Sequence, residues 1–577
     1  MHVPHDPRAI VSGALGALWL LGLWFAAPVL RPARTPSQQL ALALALGCLI
    51  PLALGLANLL YWWSLWVVLG ASLFARVLSG RRHITSDEKE APSWDIVVGF
   101  VVLLALAWPI AVRPSIDGDT LIYHLPNAAS WVTQHGVWTT GTRYWWYPPA
   151  SELFASGLLA TGGVGVVGWA GLLPAALLML TIRAAAQRGG MPRIVGTLAA
   201  CALLATPVAA VQLVSLQNDV WQTALFLCAL TEYVLPAFGT LALTKPNGLL
   251  FAVVATSAWT SNRRNVLWAL AFSIGAVALW MARNLILLPH AIVPVGTTIP
   301  TGTMGTTIAA HVPYSMVVLA RASWHAGIVW SAFLALGIAS VMFSRERHLR
   351  WSALAAFILF AIVPTGYEGG PVQQLATGAS LRFALPVAAL GLLWLVSLPG
   401  RAAPFVVIGA AAAIAVIAGV MTQWRVFDND ATTHDAPTIV ALAAAIAAGS
   451  LLIRDKRFRV AVNVVMCISL AALAGGLARS HPADYVADTY GGGFTFVASR
   501  HFARVVTLGL PAGAVITVDP SVNAFDGIDE GTCAEAHALD AVIVTTIDRL
   551  EALDCGRILY RDAAIAVLDP KTGTQHQ

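Results

Sequence analysis

Residues 95–126 read DIVVGFVVLLALAWPIAVRPSIDGDTLIYHLP, an apolar run to Val112 followed at once by two acids, Asp117 and Asp119. The apolar part has the length of a membrane crossing, about 20 residues. A carboxylate beside hydrocarbon is costly, so acids at this point need a reason.

The rest of the chain repeats the apolar half of that pattern. Windows of spanning length fall at 10–30, 40–56, 59–78, 95–113, 153–182, 194–213, 220–258, 266–287, 314–342, 351–364, 383–398, 404–422, 437–453 and 460–478. These amount to about 13 or 14 crossings at the usual span length. Window 220–258 is too long for a single pass, and 40–78 reads as one tilted pass or a hairpin. Of the 577 residues, 58% are hydrophobic and 11% charged, with a mean hydropathy of +0.73. A soluble domain of this composition would expose large apolar patches, and a barrel would show short alternating strands. The fold class is therefore an all-α polytopic membrane protein. Ile10 to Leu30 reads as a retained span because no cleavage site follows it.

Charge orients the chain. The formal net charge is +5, and lysine occurs only at Lys89, Lys245, Lys456 and Lys571. Arginines cluster in short loops, for example Arg81-Arg82, Arg263-Arg264 and Arg345/Arg347/Arg350, which marks the cytoplasmic side. Nucleic acid is not the expected partner. Parity then puts 114–152, 214–219, 288–313, 365–382, 423–436 and the tail from 479 outside. The organisation is 1–94, N-terminal transmembrane helices; 95–478, a transmembrane core with first outer loop 114–152; and 479–577, a small extracytoplasmic α/β domain. The strand-like runs of that domain are AVITVD (514–519), AVIVTT (541–546) and RILYRDAAIAVLD (557–569). Cys48, Cys201, Cys228 and Cys467 lie in apolar runs, where packing explains them. Cys533 and Cys555 are candidates for a disulfide in an oxidising compartment, or are two buried thiols.

The polar residues of the outer loops form the candidate site. In the first loop Pro126 opens a short helix, Asn127 to His135. Downstream, Trp138, Tyr144, Trp145, Trp146 and Tyr147 surround Arg143. Such rings anchor proteins at the membrane interface and equally suit stacking on a sugar. Tyr123, His124, Trp131, Trp146 and Tyr147 are the candidates for sugar or acceptor contact. Asp119 and Asp117 suit the general base of an inverting glycosyl transfer, or Asp119 caps a helix starting at Thr120. Arg143, Arg283 and Arg382 lie on the expected outer face and suit a phosphate, or snorkel at helix ends. Lys245, in LALTKPNGLL, is a charge with apolar flanks and thus a functional candidate. Glu152, Asn218 and Asp219 position an acceptor hydroxyl or cap helices. His124, His135, His290 and His311 lack the paired spacing of a metal site, so no zinc is expected.

The string DTLIYHLP at 119–126, then Trp131, Gly136 and YPPASELF, resembles bacterial GT-C glycosyltransferases, relatives of protein O-mannosyltransferases and aminoarabinose transferases. TKPNGLL, the segment 283–296 and LRFALP at 381–386 are similar to further blocks of that superfamily, and the likeness spans roughly residues 95–400. It implies a GT-C catalytic core and a polyprenyl-phosphate sugar donor. It further implies Asp119 as catalytic base and Arg283 and Arg382 as phosphate contacts. Many relatives carry an adjacent Asp-Glu pair, whereas Thr120 follows Asp119 here, so the second acid has no direct counterpart.

The expectation is an inverting transferase that moves a sugar to an envelope glycan, glycolipid or protein outside a bacterial cytoplasmic membrane. No cofactor is certain, and a divalent metal is left open. A transporter or flippase of lipid-linked sugars is the alternative. It would carry internal repeats and mid-span charges, and no repeat between the halves is evident. A non-catalytic scaffold would leave the acidic loop without a purpose.

Overall fold

The computed structural model describes residues 7–33, 35–79, 94–111, 119–140, 142, 144–290, 326–362, 379–398, 402–426, 436–451, 453, 455–480, 493–500 and most of 502–570. Among these, four helices are long and apolar enough to cross a membrane: Ile10–Val29, Pro36–Leu56, Val164–Arg188 and Arg263–Leu287. Arg193–Leu204 and Pro207–Val214 make a fifth if their 81° bend lies within one span, and eight shorter apolar helices accompany them. The expected crossings are thus more broken than an unbroken apolar window suggests.

The breaks have local causes and they place the site. Window 220–258 divides into Asp219–Thr231, Leu235–Ala242 and Gly248–Ala255. Pro236 and Pro246 stand at the two interruptions, where proline removes a helical donor and clashes with the preceding turn. The carbonyls freed near Lys245 find partners: Leu243 O accepts from Ala150 N at 2.9 Å and Thr244 O from Asn218 Nδ2 at 2.7 Å. Irregular backbone is tolerated at membrane depth when protein satisfies it in this way. Window 40–78 is two helices, Pro36–Leu56 and Trp62–Leu78, with Asn58 in the left-handed region at φ +56° between them.

One crossing sets the position of Arg382. Helices Ile328–Phe343 and Leu385–Ser397 meet at Gly337 and Gly391, and a Cβ on Gly391 would stand 2.1 Å from Gly337 N. Small residues let two backbones approach closely. Gly391→Val should therefore wedge the helices apart and cost about 1–3 kcal/mol, read as a fall in thermal unfolding temperature in detergent. A variant as stable as the wild type would contradict this contact.

The tail forms a five-stranded sheet in the order β2-β1-β3-β5-β4. The strands are β1 (Arg504–Leu508), β2 (Asn523–Asp526), β3 (Val542–Thr546), β4 (Arg557–Arg561) and β5 (Ile565–Asp569). β1 runs parallel to β2 and β3, and β5 pairs antiparallel with both β3 and β4. AVITVD is not a strand. Residues Ala512–Val518 are helical, with Ala512, Ala514, Val515 and Ile516 buried. A short apolar run carries no period that separates strand from helix, and here the helix has a loop to cover. It packs on the Thr120–His124 turn and on helix Leu125–Thr133, which β2 also touches. One apolar cluster runs from the membrane helices through Leu121, Leu125 and Ala128 to Val515 and Ile516. Cys533 is disulfide-bonded, while Cys48, Cys201, Cys228 and Cys467 are free; Cys555 lies outside the described residues.

Candidate active site

Four charged side chains distant in sequence converge. Asp119 starts a single π-helical turn, Thr120–His124, closed by the Leu125 N–H on Thr120 O. Its carboxylate makes no capping bond; it accepts a hydrogen bond from Arg382 Nη2. Arg382, in the turn Ala379–Ala384, also stands 3.5 Å from Asp219 through Nε. Asp219 opens helix Asp219–Thr231 and is ion-paired with Lys245 Nζ. The capping alternatives for both acids are thus replaced by ion pairing. The signs alternate from Asp119 to Arg382, Asp219 and Lys245, so the cluster is neutral before anything binds. The ring of Phe383 lies under both cations, 4.6 Å from Lys245 and 5.2 Å from Arg382.

The cluster is held from several sides. Thr120 Oγ1 accepts from Leu216 N at 3.0 Å, tying the π-turn to the segment before Asp219. Gln222 Nε2 donates to Asn247 Oδ1 at 2.7 Å, tying the start of that helix to the Lys245 turn. The side chains of Asp119 and Arg382 keep 29% and 20% of their surface exposed, so this face is open to a ligand, whereas Asp219 is 3% exposed.

Electrostatics follow from this arrangement. Burial acts to raise the carboxyl pKa of Asp119, but Arg382, with His124 and Lys245, outweighs it and holds the group below the usual carboxylate value. Burial likewise opposes the charge on Arg382, yet Asp119 and Asp219 leave its pKa raised. A lowered carboxyl pKa means the pairing contributes at neutral pH and is lost only as pH falls through that lowered value.

Beside the charges stands an aromatic lip. Tyr144 and Tyr147 stack at 4.7 Å, and Tyr123 meets them edge-on at 5.1 and 6.0 Å. Trp146 packs against Tyr144 at 5.8 Å. Trp131 is not part of this lip: it is 1% exposed and meets Trp280 edge-on at 5.7 Å, so its expected sugar contact does not fit its position. His124 and Glu152 are buried together, with Nδ1 2.8 Å from Oε1.

Arg283 also departs from expectation. Its side chain is 1% exposed and its donors are spent on protein. Nε donates to Val137 O at 2.8 Å, Nη1 to Trp145 O at 3.0 Å and Nη2 to Thr139 O at 2.9 Å. The guanidinium lies over the rings of Trp280 and Trp145, at 4.4 and 5.2 Å. Such a group cannot also clasp a phosphate; it is a strut for the backbone at Val137, Thr139 and Trp145. Asp117 and Arg143 lie outside the described residues. Among the described residues, no three or more His, Cys, Asp and Glu side chains gather as a metal site.

Sequence reasoning marked Asp119, Asp219, Lys245 and Arg382 one by one but missed Phe383 beneath the cations and the pairing of His124 with Glu152. LRFALP places Phe383 directly after Arg382, which was the available signal for the first.

No family model matches the sequence, and no curated protein matches it. Among solved structures the chain is similar to ArnT from Cupriavidus metallidurans, in a crystal structure bound to undecaprenyl phosphate and in another in the apo state. Identity is 16% in both, over 83% of this chain, with 98% and 99% of the ArnT chains covered and TM-scores of 0.46 and 0.48.

Proposed function

We propose that the protein is an inverting glycosyltransferase that moves a sugar from a polyprenyl-phosphate carrier to an acceptor outside the cytoplasmic membrane, such as an envelope glycan, glycolipid or protein. The observation that carries this reading is the part-exposed Asp119–Arg382 pair at an aromatic lip, backed by Asp219 and Lys245. In a sugar phosphodiester the bridging oxygen gains charge as the anomeric bond breaks. Two cations beside it, Arg382 and Lys245, stabilise that charge more in the transition state than in the ground state. Phe383 keeps both cations oriented. When phosphate draws Arg382 away, Asp119 is released to take the proton of an acceptor hydroxyl on the opposite face of the sugar. The tyrosine faces of the lip suit the sugar ring.

Arg382→Gln should weaken binding of polyprenyl phosphate by about 10–100-fold, the loss expected for one charge-assisted contact. Equilibrium binding in nanodiscs reads this, and unchanged affinity would remove the phosphate from this cluster. Lys245 in a broken span is the observation that favours a transporter instead. A protein that moves lipid-linked sugar between leaflets without transferring it would establish that reading.

A further inference from the structure

One buried pair has no part in the steps above. His124 ends the π-turn that Asp119 begins, and its Nδ1 lies 2.8 Å from Glu152 Oε1 on helix Ala150–Gly162. The other Glu152 oxygen accepts from Ser151 Oγ at 2.9 Å. The two side chains are 0% and 2% exposed. With Glu152 accepting, Nδ1 carries the hydrogen, and the lone pair of a neutral imidazole falls on Nε2. That atom is buried and, among the described residues, has no hydrogen-bond partner. A buried acceptor left unmatched is unfavourable, so it calls for a purpose.

The surroundings supply one. Asp119 and Tyr123 share its turn, with the Tyr123 ring 4.0 Å from the imidazole. Asp119 lies within electrostatic reach of His124, Arg382 and Lys245, Tyr147 approaches Tyr123 from the loop, and Cys48 approaches Glu152 from helix Pro36–Leu56. Arg382 holds the Asp119 carboxyl below its ordinary value before phosphate binds; once the phosphate has drawn Arg382 away, Asp119 is an ordinary carboxylate, still a weaker base than imidazoles as a class. An imidazole held by a carboxylate is also the arrangement that stores protons in hydrolase triads.

We infer that His124, oriented by Glu152, is the proton-holding partner of Asp119: the acceptor proton reaches Asp119 and passes to His124 Nε2, directly or through one water. This rests on the transfer reading above. The acceptor O–H bond breaks as its oxygen bonds the anomeric carbon, and the bond from that carbon to the phosphate oxygen breaks with its electron pair leaving on phosphate. Asp119 returns to carboxylate, and the imidazolium stays paired with Glu152 until it releases the proton to water with the product. His124 and Glu152 are positioning residues, acting through Asp119.

The test compares wild type, His124→Asn and Glu152→Gln in nanodiscs, with a polyprenyl-phosphate sugar and an envelope extract. Transfer is followed against pH, and thermal unfolding shows that the variants are folded. Asn keeps a donor towards Glu152 without an acceptor at the Nε2 position. It should lower kcat about 100-fold, leave the donor KM unchanged, and erase the acid limb of the kcat profile. Glu152→Gln should lower kcat about 10-fold and move the acid limb to lower pH, because an imidazolium without its carboxylate gives up its proton more readily. If wild type transfers sugar and folded His124→Asn matches its kcat and pH profile, this inference alone is overturned. Wild type that transfers nothing overturns the transfer reading and this one with it.

Discussion

Asp119→Asn should reduce sugar transfer by about 10²–10⁴-fold, the range for loss of a general base, while binding of polyprenyl phosphate is kept or tightened. The second half of this prediction comes from the pairing. Asp119 is one of two carboxylates that hold Arg382, so an amide at 119 leaves the guanidinium with a single anionic competitor to the phosphate. A purely structural salt bridge would behave differently, since removing one partner would destabilise the fold and lose donor binding along with activity. Measuring donor affinity beside turnover separates the two. A variant that loses both in proportion would contradict a catalytic role for Asp119.

Arg283→Leu is the variant expected to affect the fold most. It leaves the carbonyls of Val137, Thr139 and Trp145 without the donor they now share, at about 1–3 kcal/mol for each one left buried and unmatched. The stacking on Trp280 and Trp145 goes with it. The 137–147 segment should come loose and carry the Tyr144–Tyr147 lip with it, so unfolding temperature and activity fall together. Arg283→Lys should rescue little, because an ammonium cannot serve three carbonyls with a planar fork. If Arg283→Leu kept full stability and lost only donor affinity, the phosphate role read from the sequence would be restored.

These two arginines show what the sequence could and could not say. Both sit near the ends of apolar runs, and both suited phosphate. The difference lies in partners 138 to 146 positions away for Arg283 and 263 for Arg382, and linear pattern carries no such information. The class of fold was legible because membrane helices write themselves as long apolar windows. Their breaks were legible only in part: Pro236 and Pro246 are visible, but not that the interruptions bring Lys245 onto Asp219. In the tail, AVIVTT is β3, whereas AVITVD is a helix, since what decides is the loop it covers. The π-turn was hidden altogether. One residue more than an α-helical turn is what sets Asp119 and His124 at its two ends, and DTLIYHLP gives no sign of it.

Inverting transfer at the Asp119–Arg382 pair is tested by a turnover experiment with purified wild-type protein in nanodiscs, a panel of polyprenyl-phosphate sugars and an envelope extract, with the anomeric configuration of the product determined. One donor should be consumed, its sugar should appear on an acceptor with inverted configuration, and polyprenyl phosphate should be released. Donor that binds but is never cleaved, or a product with retained configuration, would contradict inverting transfer.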